Sequence, residues 1–153
     1  MSKEPPEHSS ETAYLLETPQ QHRDFYDDWA ETYDSGFAQS KGYEYPQRIA
    51  EYFVTQVSQD QGPVMDIGCG TGLVGIELKK CGYLNIDGVD FSQNMLDLIP
   101  KDIYKKIEKV DLNKPLKFKT NMYDVIMCVG TFTYGHVKPK ALDELIRITK
   151  NKG

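Results

Sequence analysis

Apolar residues recur with helical spacing in two segments of the first 60 residues. The first has an aromatic residue at every fourth position, at Phe25, Trp29, Tyr33 and Phe37. This spacing places them on one face of a helix, or of two short helices. The second segment, residues 45–57, shows the same periodicity and carries Pro46, which suits the first turn of a helix. Its predicted buried face consists of Ile49, Phe53 and Val57.

After residue 63 short apolar runs alternate with helical patterns. Strands are predicted within residues 64–68, 83–90, 105–112 and 123–130. The helices between and after them are predicted over 71–82, closed by Gly82, over 92–100, opened by Ser92, and over 138–153. The apolar side of the last helix is predicted to contain Ala141, Leu142, Leu145, Ile146 and Thr149. The alternation predicts an α/β fold, with a doubly wound, mostly parallel sheet and helices on both faces.

Composition narrows the classes of protein that this chain can represent. Its 153 residues suit one domain with a substantial core, and its net charge of −5 argues against nucleic acid or an anionic membrane as a partner. No apolar run is long enough to span a bilayer, and the polar start shows no secretory signal. The three cysteines (Cys69, Cys81 and Cys128) form no CxxC pair, which favours reduced thiols, no metal site and a cytoplasmic location.

The first 20 residues differ in composition from the rest. They are rich in proline, glutamate and serine, and we expect them to form a mobile N-terminal tail. Residues 21–153 are then the predicted domain, without an internal repeat.

A glycine-rich turn follows the first predicted strand in the sequence VMDIGCGTG, residues 64–72. Its glycines match G-x-G-x-x-G, and Asp90 follows Gly70 by twenty residues, a pattern typical of dinucleotide binding. Asp66, however, stands at the mouth of this turn, where its carboxylate would repel a pyrophosphate. S-adenosylmethionine has no phosphate and carries a sulfonium and an ammonium group. The turn therefore favours S-adenosylmethionine, and an NAD-dependent oxidoreductase remains the alternative.

The region from about residue 25 onward resembles the class I S-adenosylmethionine-dependent methyltransferases. Within this class it resembles the methyltransferase-like protein 27 group most. The stretches that carry this resemblance are YDDWAETYD, VMDIGCGTGLVG, GVDFSQNML, KVDLNKPL and YDVIMCVGTFTYGHV. It implies a Rossmann-like methyltransferase fold. Members of this class usually have seven strands, so the four predicted here imply a domain that lacks its last strands and is C-terminally incomplete.

At the glycine turn, the resemblance implies contacts with the methionine part of the cofactor. Gly68, Cys69 and Gly70 would line this part, Cys69 mainly through its backbone. Asp66 would steady the turn and favour the ammonium group, directly or through water.

Further along the chain, the resemblance implies contacts with the nucleoside. Asp90 would bind both ribose hydroxyls, since a carboxylate offers two acceptor oxygens. Phe91 and Met95 would flank the adenine, and Asp111 with Leu112 would meet its edge.

The resemblance also assigns residues around the reacting end of the cofactor. Val129 and Gly130 would pass beneath that end, and Tyr26, Trp29 and Tyr33 would form part of an N-terminal lid. Several of these assignments have purely structural alternatives: Asp66 as a cap of the turn, Asp90 as a partner of Ser92, Asp111 as a turn residue, and Met95 and Trp29 as core residues.

Methyl transfer from a sulfonium needs alignment and exclusion of water more than it needs a catalytic group. A general base matters only if the acceptor must lose a proton. His136 is one candidate, with a pKa expected near the useful range, and Tyr134 is the other. The methyl acceptor, a small molecule or a protein, is not encoded in the shared motifs. A non-catalytic module that binds the cofactor remains a second alternative, and an unprotected fourth strand would favour self-association.

Overall fold

The computed structural model describes residues 8–34, 44–133 and 135–151. These residues contain one parallel sheet in the order β3-β2-β1-β4. The strands are β1 (Val64–Ile67), β2 (Ile86–Asp90), β3 (Lys106–Lys109) and β4 (Val125–Cys128). All four predicted strands are therefore confirmed, and so is the α/β Rossmann-like class.

Helices cover the sheet on both sides. They are α1 (Ser10–Ala13), α2 (Pro19–Thr32), α3 (Tyr45–Gln56), α4 (Leu73–Lys80), α5 (Gln93–Asp97) and α6 (Ala141–Ile148). One core cluster includes Phe53 of α3 and Leu78 of α4, and the other includes Leu145 and Ile148 of α6. The two clusters are the two faces that a doubly wound sheet must bury.

Local signals fix the helix ends. Thr18 and Gln21 form a reciprocal capping box at the start of α2. The Ser92 side chain accepts the amide of Met95 at the start of α5, as its N-cap position predicts. Gly82 follows α4 with a φ of +91°, the left-handed conformation that ends many helices.

The buried face of α6 differs from the predicted one. Ala141, Leu145 and Ile148 are buried, whereas Leu142 and Ile146 are 47% and 72% exposed. The apolar positions of this helix form two adjacent stripes, and only one of them packs on the sheet. Periodicity identifies an apolar face but does not tell which part of a wide face meets the core.

The predicted tail differs in part from the structure. Residues 8–20 contain α1 and the first turn of α2, and Ala13 is only 8% exposed. A Cβ at Gly135 would lie 2.7 Å from the backbone of Leu16 and Glu17, so this segment packs against the loop after β4. The boundary at residue 20 thus falls inside α2, and mobility of residues 1–20 stays a prediction. Phe37 lies outside the described residues.

Candidate functional site

A cavity of about 440 Å³ opens at the carboxyl ends of the four strands. Each described residue that the sequence predicted to bind cofactor lines it, and so does His136. Tyr134 lies outside the described residues. The carboxyl edge of a parallel sheet, where the strand order reverses, is the usual ligand position in such folds. The structure therefore brings the predicted residues together, while their ligand stays a prediction.

The turns after β1 and β4 need glycine for two different reasons. A Cβ at Gly68 would lie 2.1 Å from the Thr131 hydroxyl oxygen, so the two segments approach too closely for a side chain. At Gly70 and Gly130 nothing lies within 4 Å of an added Cβ, and both have positive φ, +54° and +68°. Both residues line the cavity, so bare backbone faces open space there.

Asp90 fastens the glycine turn to the end of β2. Its Oδ2 accepts the amide of Gly70 and its Oδ1 accepts the amide of Ser92, each at 2.9 Å. Asp90 is therefore a partner of Ser92, which is the structural alternative considered for it. A carboxylate has about four lone-pair sites, so each oxygen can still accept another hydrogen bond. Ribose binding therefore remains a prediction that this geometry permits.

Asp66 does not cap the turn. Its Oδ2 accepts the hydroxyl of Tyr104 at 2.7 Å, while the amides of Gly68 and Cys69 donate to the Val89 carbonyl at 2.8 and 3.0 Å. The turn is thus steadied by Val89 and Asp90, contrary to the expectation for Asp66. Burial raises the pKa of Asp66 to about 7, and its carboxyl belongs to none of the salt bridges among the described residues.

Asp111 combines a turn with ionic contacts. Its Oδ1 accepts the amide of Asn113 at 3.0 Å, and its Oδ2 lies 3.4 Å from Lys114 Nζ and 3.8 Å from a guanidinium nitrogen of Arg23. The turn role considered for this residue is present. Asp111 also lines the cavity, so a contact with an adenine edge stays a prediction.

Helix α2 and the residues just after it contact the three loops that follow β1, β2 and β3. Arg23 approaches Asp111, Asp27 accepts the hydroxyl of Ser92, and Asp34, just after the helix, accepts the hydroxyl of Thr71 at 2.7 Å. Arg23 and Asp27 lie one helical turn apart, on the same face of α2. Residues 23–34 therefore connect the three loops that border the cavity.

Aromatic side chains form the cavity wall on the α2 side. Trp29 is 4% exposed and packs edge-on against Tyr33, with ring centroids 4.9 Å apart. Tyr26 meets Phe91 edge-on at 6.2 Å. Trp29 and Met95 are buried and line the cavity as well, so the core role and the wall role coincide.

His136 is buried against a second histidine. Its ring stacks on His22 with centroids 4.6 Å apart and planes 10° apart, and meets Phe91 at 4.6 Å. Burial, with a contribution from His22, lowers the pKa of His136 to about 4. The expectation of a pKa near the useful range is therefore wrong. The imidazole is neutral at pH 7 and is a weak base.

Sequence reasoning missed several residues in and around this site, among them Tyr104, His22 and Arg23. His22 and Arg23 lie on α2 but outside the aromatic spacing that drew attention to it. Tyr104 stands just before β3 and outside every motif. In the structure Tyr104 packs beside Gly75 and Gly88, where an added Cβ would lie 2.4 and 3.2 Å from its ring, but the two glycines do not identify it from the sequence.

The lining has a definite chemical character. It combines bare backbone at Gly70 and Gly130, buried carboxylates at Asp66 and Asp90, and an aromatic wall. Carboxylates favour a cation, and aromatic rings favour a planar base or a cation. S-adenosylmethionine, with its adenine, ribose hydroxyls, sulfonium and ammonium, fits this combination. The described residues contain no group of three His, Cys, Asp or Glu side chains able to hold a metal ion.

Comparison with known proteins agrees with this chemistry. Residues 64–153, more than half of the chain, match a family model described as a methyltransferase domain. The human methyltransferase-like protein 27 is 35% identical over 136 residues, which cover 84% of this chain and 54% of that protein. A putative S-adenosyl-L-methionine-dependent methyltransferase from Methanococcus maripaludis superposes with a TM-score of 0.67 at 25% identity, over 86% of this chain and 60% of that one.

A further structure shows the same fold with a ligand. The magnesium protoporphyrin IX methyltransferase of Synechocystis PCC 6803, solved with bound S-adenosylmethionine, superposes with a TM-score of 0.56 at 23% identity. The match covers 74% of this chain and 62% of that one. The chain spans about a third to a half of the length of the curated relatives it matches. The chain belongs to the methyltransferase domain family, and its fold is that of the class I S-adenosylmethionine-dependent methyltransferases.

Proposed function

We propose that this chain binds S-adenosylmethionine in the cavity above the sheet and functions as part of an S-adenosylmethionine-dependent methyltransferase. The observation that carries the proposal is the turn after β1. It presents bare backbone at Gly70 beside two buried carboxylates, Asp66 and Asp90. This arrangement suits a ligand with positive charge and no phosphate.

Different lining residues bind different parts of the cofactor. Asp66 offers a carboxylate to the ammonium group, and Gly68, Cys69 and Gly70 line the methionine part. Asp90 retains acceptor sites for the ribose hydroxyls. These roles are supported by the fact that all five residues line the cavity.

The remaining assignments concern the adenine and the reacting end. Phe91 and Met95 flank the adenine, and Asp111 with Leu112 meets its edge. Val129 and Gly130 lie beneath the reacting end, and the α2 aromatics (Tyr26, Trp29 and Tyr33) close the cavity. Their common lining of the cavity supports this proposal.

The bound cofactor supplies a methyl group already activated by the positive sulfur. The protein's own residues then bind, align and exclude water, which is the main requirement of such a displacement. Trp29, 4% exposed, is suited to excluding water. His136 is poorly suited to act as a base because its pKa is about 4. We therefore assign no general base among the described residues.

Two alternatives are separated from this proposal by simple experiments. For an NAD-dependent oxidoreductase, the dinucleotide would have to place a pyrophosphate near Asp66 and Asp90. Calorimetric titration with S-adenosylhomocysteine and with NAD distinguishes the two, and binding of NAD alone would overturn the proposal. A non-catalytic binding module would bind S-adenosylhomocysteine but transfer no methyl group from S-adenosylmethionine to any acceptor.

The acceptor is proposed only as a class, a small molecule or a protein. A panel assay with methyl-labelled S-adenosylmethionine, small amines, acids and cell-extract proteins addresses it. Cytoplasmic location is part of the same proposal, supported by three free cysteines. No helix among the described residues has the length and apolar character needed to cross a membrane.

Self-association through β4 is also proposed. In the described residues β4 pairs with β1 on one side, and the chain beyond α6 adds only a single bridge, Tyr123 with Thr149. The strand VIMC carries no charge, whereas the opposite edge, β3, carries Lys106, Glu108 and Lys109. Charged edges resist pairing and apolar edges invite it.

Light scattering at increasing protein concentration tests this proposal. We expect dimers or larger species to increase with concentration. A monomer at all concentrations, with a sharp cooperative melt, would contradict it.

A further inference from the structure

A tyrosine outside the recognised motifs is inserted behind the glycine turn. Tyr104 is 8% exposed, and its hydroxyl donates to Asp66 at 2.7 Å. Its ring packs against two residues that lack a Cβ, and at Gly75 a Cβ would leave no room for it. An added Cβ would lie 2.4 Å from the ring at Gly75 and 3.2 Å from it at Gly88.

These contacts give the third glycine of G-x-G-x-x-G a specific function. In dinucleotide-binding folds that glycine allows close packing of helix on strand. Here the space beside Gly75 in α4 is filled by the ring of Tyr104, whose hydroxyl reaches the carboxyl of β1. This packing therefore places the Tyr104 hydroxyl, a hydrogen-bond donor, against the carboxyl of Asp66, which itself lines the cavity.

We propose that Tyr104 is a positioning residue for cofactor binding: its hydroxyl fixes Asp66 and keeps that carboxylate available to the cofactor's ammonium group. This inference rests on the proposed function and extends it to a residue that does not line the cavity. Tyr104 acts through Asp66 and has no contact of its own with the ligand.

The ionisation of Asp66 supplies a readout that a merely structural tyrosine would not move. Burial raises the pKa of Asp66 to about 7, the charge of Asp90 also raises it, and the Tyr104 hydrogen bond lowers it. The thiols of Cys69, in the turn, and Cys128, on β4, also interact with Asp66, and the pKa of each is raised, chiefly by burial. Loss of the hydroxyl should therefore shift the Asp66 titration to higher pH.

The chain offers a matched control on the opposite face of the sheet. Tyr123, 1% exposed, donates to Oδ2 of Asp87 at 2.9 Å, which is the same kind of buried tyrosine–aspartate pair. Neither Tyr123 nor Asp87 lines the cofactor cavity. Tyr123→Phe therefore removes an equivalent hydrogen bond without touching Asp66.

The direct test follows the Asp66 carboxyl carbon by NMR in the ligand-free protein, with Asp66→Asn to assign the resonance. We expect Tyr104→Phe to raise the titration midpoint by about one pH unit, as for loss of one hydrogen bond to a charged group. Tyr123→Phe should leave it unchanged. Equal midpoints in the wild type and Tyr104→Phe would overturn the proposal.

A second measurement covers the case in which Tyr104→Phe does not fold. Replacement of all tyrosines by 3,5-difluorotyrosine makes the hydroxyl more acidic and a stronger donor without deleting it. The Asp66 midpoint should then fall, and an unchanged midpoint would again overturn the proposal.

Ligand affinity links this result to function. The affinity for S-adenosylhomocysteine, which has the ammonium group, should drop by up to about tenfold for each pH unit below the Asp66 midpoint. Binding of 5′-methylthioadenosine, which lacks that group, should show no change in affinity at the Asp66 midpoint, because Asp90, whose pKa burial also raises, affects the ribose of both ligands alike. Tyr104→Phe should therefore shift only the profile of S-adenosylhomocysteine. If the wild type binds neither compound, the proposed function fails, while the ligand-free titration still decides the role of Tyr104.

Discussion

The backbone amide of Gly70 donates to Oδ2 of Asp90 at 2.9 Å, which joins the turn after β1 to the end of β2. The two residues are twenty positions apart and belong to the two halves of the glycine fingerprint. Asp90 thus shapes the cavity as well as lining it. Its substitution should affect both the stability of the protein and its affinity for ligand.

We expect Asp90→Ala to lower the free energy of unfolding by about 1.5–3 kcal/mol, because the amides of Gly70 and Ser92 lose a charged acceptor. It should also weaken S-adenosylhomocysteine binding more than Asp111→Ala does, since the Asp111 side chain is 25% exposed and contacts two cations. Urea titration and calorimetry measure the two effects. Wild-type affinity in Asp90→Ala would remove this residue from the site.

The contacts of α2 with the cofactor loops lead to a kinetic prediction. Asp27 accepts the Ser92 hydroxyl and Asp34 accepts the Thr71 hydroxyl. Asp27→Ala and Asp34→Ala should release this cover and increase the dissociation rate of S-adenosylhomocysteine several-fold, measured by stopped-flow displacement. Asp24→Ala is the control, because Asp24 is bonded to the exposed side chain of Gln20 in the same helix. Equal dissociation rates in the wild type and the three variants would contradict a covering role for α2.

Glycine substitutions separate backbone strain from contact with the ligand. Gly70→Ala and Gly82→Ala both place a side chain at positive φ, which should cost each variant about 1–2 kcal/mol of stability. Gly70 lines the cavity and Gly82 does not. We therefore expect calorimetry to show weakened S-adenosylhomocysteine binding only in Gly70→Ala. Equal affinities in the two variants would mean that the open space at Gly70 is not part of the ligand site.

His136 should make the protein sensitive to acid. Its pKa is lowered to about 4 in the folded state, so it contributes stability above the unfolded value of about 6.5 and loses it as pH falls toward 4. Asp66 has the opposite effect on the pH dependence of stability. Because its pKa is raised in the folded state, it stabilises the fold most at low pH. The difference between the wild type and His136→Gln isolates the histidine. We expect a wild-type advantage at pH 7 that shrinks by a few kcal/mol by pH 4, measured by urea unfolding.

The sequence predicted the strands and the cavity wall because those features depend on local signals. The period of apolar residues gave β1 to β4, and the motif spacing placed Asp66 and Asp90 at the ends of adjacent strands. The partners of these carboxylates were not predictable in the same way. Tyr104 and His22 reach the site through tertiary packing, and nothing in the local pattern marks which buried side chain meets Asp66 or His136.

The pKa of His136 was also not predictable from local sequence signals. Its position after β4 could be read from the sequence, but burial against His22 could not. The exposed stripe of α6, with Leu142 and Ile146, is a third case, since a helical wheel gives no information on how wide a face the sheet covers. Local chemistry was therefore predictable, and long-range environment was not.

The central claim is that the cavity at the carboxyl ends of the strands binds an S-adenosyl ligand. The most direct test is the melting temperature of the purified chain with S-adenosylhomocysteine and, separately, with NAD. At about 100 times its Kd, S-adenosylhomocysteine should add roughly 2.7 kcal/mol of stability and raise the melting temperature, while NAD should leave it unchanged. Stabilisation by NAD and not by S-adenosylhomocysteine would contradict the claim.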